Sequence, residues 1–135
     1  MRIVPKSNGL TAPYWEGARQ GRLMVQHCRA CGWMWHPPTP ICNACQSSDI
    51  EWRESSGLGE VYSHTTVHHA AHVAMQGRTP YLVALVQLEE GPRIVANIQD
   101  CPMEEVRIGM KVEVTFEEIS PGVILPQFRP RARPQ

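Results

Sequence analysis

The stretch that decides the fold runs Cys28-Arg29-Ala30-Cys31-Gly32-Trp33-Met34-Trp35-His36-Pro37-Pro38-Thr39-Pro40-Ile41-Cys42-Asn43-Ala44-Cys45. It holds two Cys-x-x-Cys pairs separated by ten residues. Two residues between cysteines let both sulfurs reach one ion at about 2.3 Å while backbone N–H groups point at the thiolates. Gly32, directly after Cys31, tolerates the positive φ that a tight metal knuckle demands. Two such hairpins facing each other make a tetrahedral sulfur cage. Four thiolates leave no open coordination position, so the ion is structural. Size supplies the need: a module of about 35 residues cannot bury a sufficient core, and a metal usually replaces it. We therefore expect Cys28, Cys31, Cys42 and Cys45 to hold one structural zinc. A thioredoxin-type redox pair does not come twice around a proline-rich spacer. An iron site of rubredoxin type usually has its knuckles further apart, and Gln46 stands where a second glycine is expected.

Working outward, residues 11 to 20 (Thr-Ala-Pro-Tyr-Trp-Glu-Gly-Ala-Arg-Gln) read as a short helix capped by Thr11 and closed by Gly21. Tyr14, Trp15 and Ala18 share one face at that spacing. Downstream the pattern turns to short β-branched runs. A strand is expected from Gly59 to Val67, entered through Gly57 and Gly59. Tyr81 to Leu88 is a near-continuous apolar run, which predicts a strand covered on both faces. Arg93 to Ile98 returns as its hairpin partner. Lys111 to Ile119 alternates with period two, placing Val112, Val114 and Phe116 inward. Val123 to Phe128 is a last short strand, with Pro126 marking an edge. Met103 to Met110 reads as a short helix or turn. Five strands with such turns predict a small closed barrel.

Composition excludes several classes. Thirteen Lys plus Arg balance thirteen Asp plus Glu, so no basic face is available to hold a nucleic acid by its phosphates. No apolar run approaches the roughly 20 residues of a membrane span. The start lacks an apolar secretory core, so the cytoplasm is the expected compartment. The odd count of five cysteines suits a disulfide framework poorly.

Other residues invite chemistry and carry bland readings. His68, His69 and His72 fall in a loop running from about Val67 to Pro80; His68 and His72 would share a face only in a helix, and nothing supplies a third ligand beside those two. That loop is long for so small a barrel, and long ordered loops often touch ligands or partners. Cys101, before Pro102, reads as a lone small thiol, buried or semi-exposed. The neighbours Glu89/Glu90, Glu104/Glu105 and Glu117/Glu118 read as solvated turn or edge residues. Arg129, Arg131 and Arg133 read as a frayed tail. Ser63 and His64 are adjacent on one strand and so face opposite ways.

Together the motifs resemble a known family. Tyr14–Trp15, Gly21–Leu23, Cys28–Cys31–Gly32, Pro37–Pro38, Cys42–Cys45, Ser56–Gly57–Gly59, Val61–Tyr62 and the closing Leu125 to Pro130 are similar to the zinc-ribbon plus OB-fold proteins once known only as a domain of unknown function. That family often has Pro after the third cysteine, where this chain has Asn43. The resemblance implies a mainly β fold, with an N-terminal helix and rubredoxin-like zinc ribbon (1–54) followed by a five-stranded OB-fold barrel with a C-terminal tail (55–135). It implies a non-catalytic accessory subunit of a thiolase-like or lipid-transfer-protein-like enzyme acting on a CoA thioester. The expected partner is a retro-aldolase that cleaves a β-hydroxyacyl-CoA in sterol side-chain degradation. A thiolase, acyltransferase or MaoC-like hydratase partner is the alternative, and a single-stranded nucleic-acid binder a further one. Arg78 and Arg93 are candidate contacts for CoA phosphates, and Tyr14 and Trp15 for the partner interface.

Overall fold

The computed structural model describes residues 5, 7–69, 73, 77 and 79–131. Helix α1 (Ala12–Arg19) comes first. A three-stranded antiparallel sheet follows, from β1 (Met24–Cys28), β2 (Met34–Trp35) and β3 (Ile50–Glu54) in the order β2-β1-β3. Five further strands are β4 (Leu58–Val67), β5 (Tyr81–Leu88), β6 (Arg93–Ala96), β7 (Lys111–Ser120) and β8 (Val123–Pro130). Their order is β6-β5-β4-β7-β8, all antiparallel. A parallel bridge from Ile98 to Phe128 then brings the two ends of that sheet together. The result is a nearly closed five-stranded barrel beside a cysteine-bearing ribbon, as the motifs imply.

The helix forms where expected, but Thr11 does not cap it through its side chain. A turn over residues 9–11 leads into it and is closed by Asn8. Asn8 Oδ1 accepts from the Thr11 N–H at 2.9 Å and the Asn8 N–H donates to Thr11 Oγ1 at 3.1 Å. This reciprocal pair, three residues apart, satisfies two N–H groups that the first turn leaves free. The helix buries Tyr14, Gly17 and Ala18. Gly17 is required there, because a Cβ would lie 2.3 Å from Met24 Cγ.

Strand β5 is not covered on both faces. Leu82, Ala84, Val86 and Leu88 are buried, while Tyr81, Val83, Leu85 and Gln87 are only half-buried. A barrel wall has an inside and an outside, and the apolar outer residues Val83 and Leu85 hid the alternation. Strand β4 spans both neighbours: Leu58 to Glu60 pair with β7, and Gly59 to Val67 with β5. A bulge between Val61 and Ser63 turns it and leaves Tyr62 46% exposed. Strand β8 runs eight residues and not six, paired along β7 from Val112–Pro130 to Ser120–Val123. Between β6 and β7 the helical expectation reduces to a single 3-10 turn, Met103–Glu105.

One core serves both sheets. Tyr14, Leu23 and Val25 pack with Val61, Leu82, Val86, Leu88, Ile94, Val106, Val112 and Phe128. A second, small core inside the ribbon contains Cys28, Trp35 and Cys42, with Ile50 against it. The join between ribbon and barrel is polar. Buried Ser55 donates its hydroxyl to Glu90 Oε1 at 2.8 Å, and the Ser56 N–H donates to Glu90 Oε2 at 2.7 Å. Glu90 is therefore an anchor and not a solvated turn residue. Gly57, next in line, has φ +78°, and a Cβ there would lie 2.4 Å from Val114 Cγ1. The Ser-Gly-x-Gly lead-in is thus a geometric requirement of the join.

Arg129 and Arg131 are tied to the barrel. The Arg131 N–H donates to the Lys111 carbonyl at 3.0 Å, and Arg129 lies 3.6 Å from Glu113. Arg133 lies outside the described residues.

Candidate metal centre

Each cysteine pair sits on a knuckle of the same construction. The Gly32 N–H donates to the Cys28 carbonyl at 2.8 Å, and the Gln46 N–H donates to the Cys42 carbonyl at 3.0 Å. The Cys28 N–H donates to the Trp33 carbonyl, and the Cys42 N–H to the Ser47 carbonyl. In both knuckles the residue after the second cysteine is left-handed: Gly32 at φ +84° and Gln46 at φ +65°. Gln46 thus takes the conformation of the missing glycine, at the cost a side chain pays there.

The four sulfurs converge. All lie within 4.8 Å of one another, with Cys28 to Cys45 at 3.5 Å and Cys31 to Cys42 at 3.6 Å. Sulfurs about 2.3 Å from a central ion form a tetrahedron with edges of about 3.8 Å. A disulfide needs about 2.05 Å, so these pairs are free thiols. Cys28 and Cys42 are buried and Cys31 and Cys45 exposed, which puts the cluster at the ribbon surface. The Ala44 N–H donates to Cys42 Sγ at 3.3 Å, as a thiolate ligand requires. Burial opposes ionisation of Cys42, but the N–H groups of Cys45 and Ala44 and the thiols of Cys31 and Cys45 outweigh it, lowering its pKa to about 7. At Cys31 the Trp33 backbone favours the thiolate, yet partial desolvation and the three neighbouring sulfurs outweigh that and push it up to about 12. Four thiols cannot all ionise together without a cation between them, and a divalent ion supplies that charge.

The other candidates scatter. Arg93, at the start of β6, is exposed, with its guanidinium carbon 3.8 Å above the Tyr62 ring and Nε donating to Gln87 at 3.4 Å. Arg78 and His72 lie outside the described residues. Tyr14 is 8% exposed and meets Trp15 edge-on at 4.9 Å, so its ring is engaged within the chain while Trp15 stays half-buried at the core's margin. His68 and His69 are exposed. Cys101 is half-buried, its thiol pKa raised by burial.

Sequence reasoning missed the polar residues that hold these parts together: Gln26, Thr39, Glu90 and Gln127. Gln26, 3% exposed, accepts the Thr39 N–H at 2.7 Å. Gln127, 2% exposed, accepts the Asn97 N–H at 2.8 Å. A lone glutamine inside an apolar strand run was the available signal in both cases.

Comparison with known proteins agrees with this geometry. A family model described as the ChsH2 rubredoxin-like zinc ribbon domain matches residues 15–51, and one described as the ChsH2 C-terminal OB-fold domain matches residues 52–117. A DUF35 domain-containing scaffold protein of Methanocaldococcus jannaschii is 40% identical over 98 residues, 72% of this chain and 69% of that one. The chain belongs to the DUF35 family. A probable enoyl-CoA hydratase alpha subunit of Thermomonospora curvata is 42% identical over 130 residues, 96% of this chain but 40% of that protein. The chain thus spans well under half the length of that relative. Among solved structures, a chain of the Ltp2-ChsH2(DUF35) aldolase superposes with a TM-score of 0.82 at 42% identity, covering 93% of this chain and 98% of that one. Among the described residues, no helix is long and apolar enough to cross a membrane.

Proposed function

We propose that the chain is a non-catalytic accessory subunit of a thiolase-superfamily enzyme acting on CoA thioesters, specifically a retro-aldolase that cleaves a β-hydroxyacyl-CoA side chain of a sterol. The observation that carries this reading is the likeness to a chain of the Ltp2-ChsH2 aldolase across nearly the whole of that chain. In this reading the carbon–carbon cleavage belongs to the lipid-transfer-protein-like partner. This chain stabilises the partner and forms part of the CoA path. The scaffold description of the archaeal relative supports a supporting role. The hydratase description of the actinobacterial relative supports CoA thioester chemistry and favours one second reading, a subunit paired with an enoyl-CoA hydratase.

Within this proposal Cys28, Cys31, Cys42 and Cys45 hold one structural zinc, since an all-thiolate tetrahedron suits that ion and leaves it no open position. The zinc knits the ribbon and takes no part in bond breaking. Arg93, exposed on the barrel wall, is offered to a CoA phosphate, as is Arg78. Trp15, with Tyr14 buttressing it edge-on, is offered to the partner. The division at 54/55 separates the metal-held lobe from the barrel. Free thiols held for a metal suit the reducing cytoplasm.

Co-expression with a thiolase-like partner subunit tests the proposal. The two chains are expected to co-elute at a fixed ratio, and aldehyde or ketone release from a β-hydroxyacyl-CoA is expected only when both are present. A partner that folds and turns over that thioester fully without this chain would contradict it.

A further inference from the structure

We propose that Thr39 is the positioning residue that sets where Cys42 meets the metal, and that Gln26 in turn fixes Thr39. The inference rests on the zinc reading above and names the side chains that build its geometry.

After β2 the chain must cross the proline-rich spacer and deliver Cys42 Sγ to within 3.6 Å of Cys31 Sγ. Thr39 governs that crossing in three directions. Its N–H donates to Gln26 Oε1 at 2.7 Å, and Gln26 lies on the central ribbon strand β1, opposite Trp35 on one side and Trp52 on the other. The Thr39 hydroxyl accepts from Trp35 Nε1–H at 2.8 Å. It donates to the carbonyl of Ile41, the residue directly before Cys42, at 2.7 Å. The alternative acceptor, Asn43 Oδ1, is further away at 3.4 Å, so the single hydroxyl proton belongs to Ile41. Trp35 itself is 4% exposed and packs with Cys28 and Cys42 in the ribbon's small core.

One hydroxyl therefore joins the strand leaving the first knuckle to the peptide carrying the second. The prolines on either side, Pro38 and Pro40, have no N–H and cannot make such ties. Valine has the shape of threonine without the hydroxyl. Thr39→Val would leave the Trp35 N–H buried without an acceptor and release the Ile41 carbonyl. Partners that orient metal ligands in this indirect way typically change metal affinity by about 10–100-fold.

The test follows zinc release from the metal-loaded full chain to a chromophoric chelator, together with the ligand-field spectrum of the cobalt-substituted form. Thr39→Val is expected to release zinc about 10–100-fold faster than wild type and to shift the cobalt bands, because Cys42 is displaced. Thr39→Ser, which keeps the hydroxyl, is expected to restore both. Release and spectrum unchanged in Thr39→Val would overturn the proposal. Should that variant fail to load, Gln26→Met decides, since it removes only the N–H tie: faster release supports the proposal and unchanged release overturns it. Wild type that holds no metal would overturn the zinc reading and the positioning role with it, an outcome distinct from the others.

Discussion

Gln46 adopts φ +65° because the second knuckle repeats the first, where the same position is Gly32. A left-handed side chain costs about 1–2 kcal/mol, partly offset by the extra chain entropy that glycine loses on folding. Gln46→Gly is therefore expected to stabilise the ribbon by up to about 1 kcal/mol, read by thermal or urea unfolding of the metal-loaded chain. Two titrating residues contribute to the acid limb of stability, alongside Glu51 and the metal-binding thiolates. Burial lowers His36 to about 4, so it stays neutral beside Tyr14, whose ring centroid is 5.2 Å away. Its folded pKa lies below the unfolded value, so stability falls as pH drops from about 6.5 toward 4. At Glu90 burial works against ionisation, but hydrogen bonds from the Ser56 N–H and the Ser55 hydroxyl outweigh it and lower the pKa. Its contribution is present above the usual glutamate range and disappears as pH falls through the folded value. His36→Phe should flatten the first window and Glu90→Gln the second, in urea midpoints measured from pH 7 to pH 3. Equal slopes in wild type and variants would refute the assignments.

At the level of elements, strand β8 closes the barrel through side-chain and main-chain hydrogen bonds to the segment after β6. Gln127 Oε1 accepts the Asn97 N–H at 2.8 Å, the Asn97 side chain donates to the Leu82 carbonyl at 2.8 Å, and the Gln99 N–H donates to the Phe128 carbonyl at 2.7 Å. Gln127→Leu keeps the volume but leaves the Asn97 N–H unpaired, and should cost about 1–3 kcal/mol in urea unfolding. An unchanged midpoint would mean that the main-chain bridge at Ile98–Phe128 closes the barrel unaided. The positions of the barrel strands were legible in the sequence because runs of Val, Ile, Leu and Tyr between glycines and prolines carry a local signal. The knuckles were legible because cysteine spacing is itself geometry. The exposed side of β5 was not, since Val83 and Leu85 lie on the outer wall yet are apolar. The Glu90 anchor was also hidden: it bonds residues 34 and 35 positions away, and a Glu-Glu turn looks the same whether or not something approaches it.

At the scale of the whole molecule, the larger of the two cores is shared by both sheets. Tyr14, Leu23 and Val25 come from the N-terminal lobe and belong to the same buried cluster as the barrel's interior residues, so loosening the lobe removes part of that cluster. Removing metal with a strong chelator should therefore melt β1–β3 first and lower the barrel's stability as well, seen as amide exchange that rises in both sheets. Exchange that rises in the ribbon alone would show that the shared core holds without it. The claim on which fold, family role and Thr39 all depend is that four thiolates surround one ion. X-ray absorption at the zinc edge of the purified chain tests it most directly. The account predicts about one zinc per chain with four sulfur neighbours at about 2.3 Å. Oxygen or nitrogen in that shell, or a folded chain with no metal and its sulfurs joined in pairs, would contradict it.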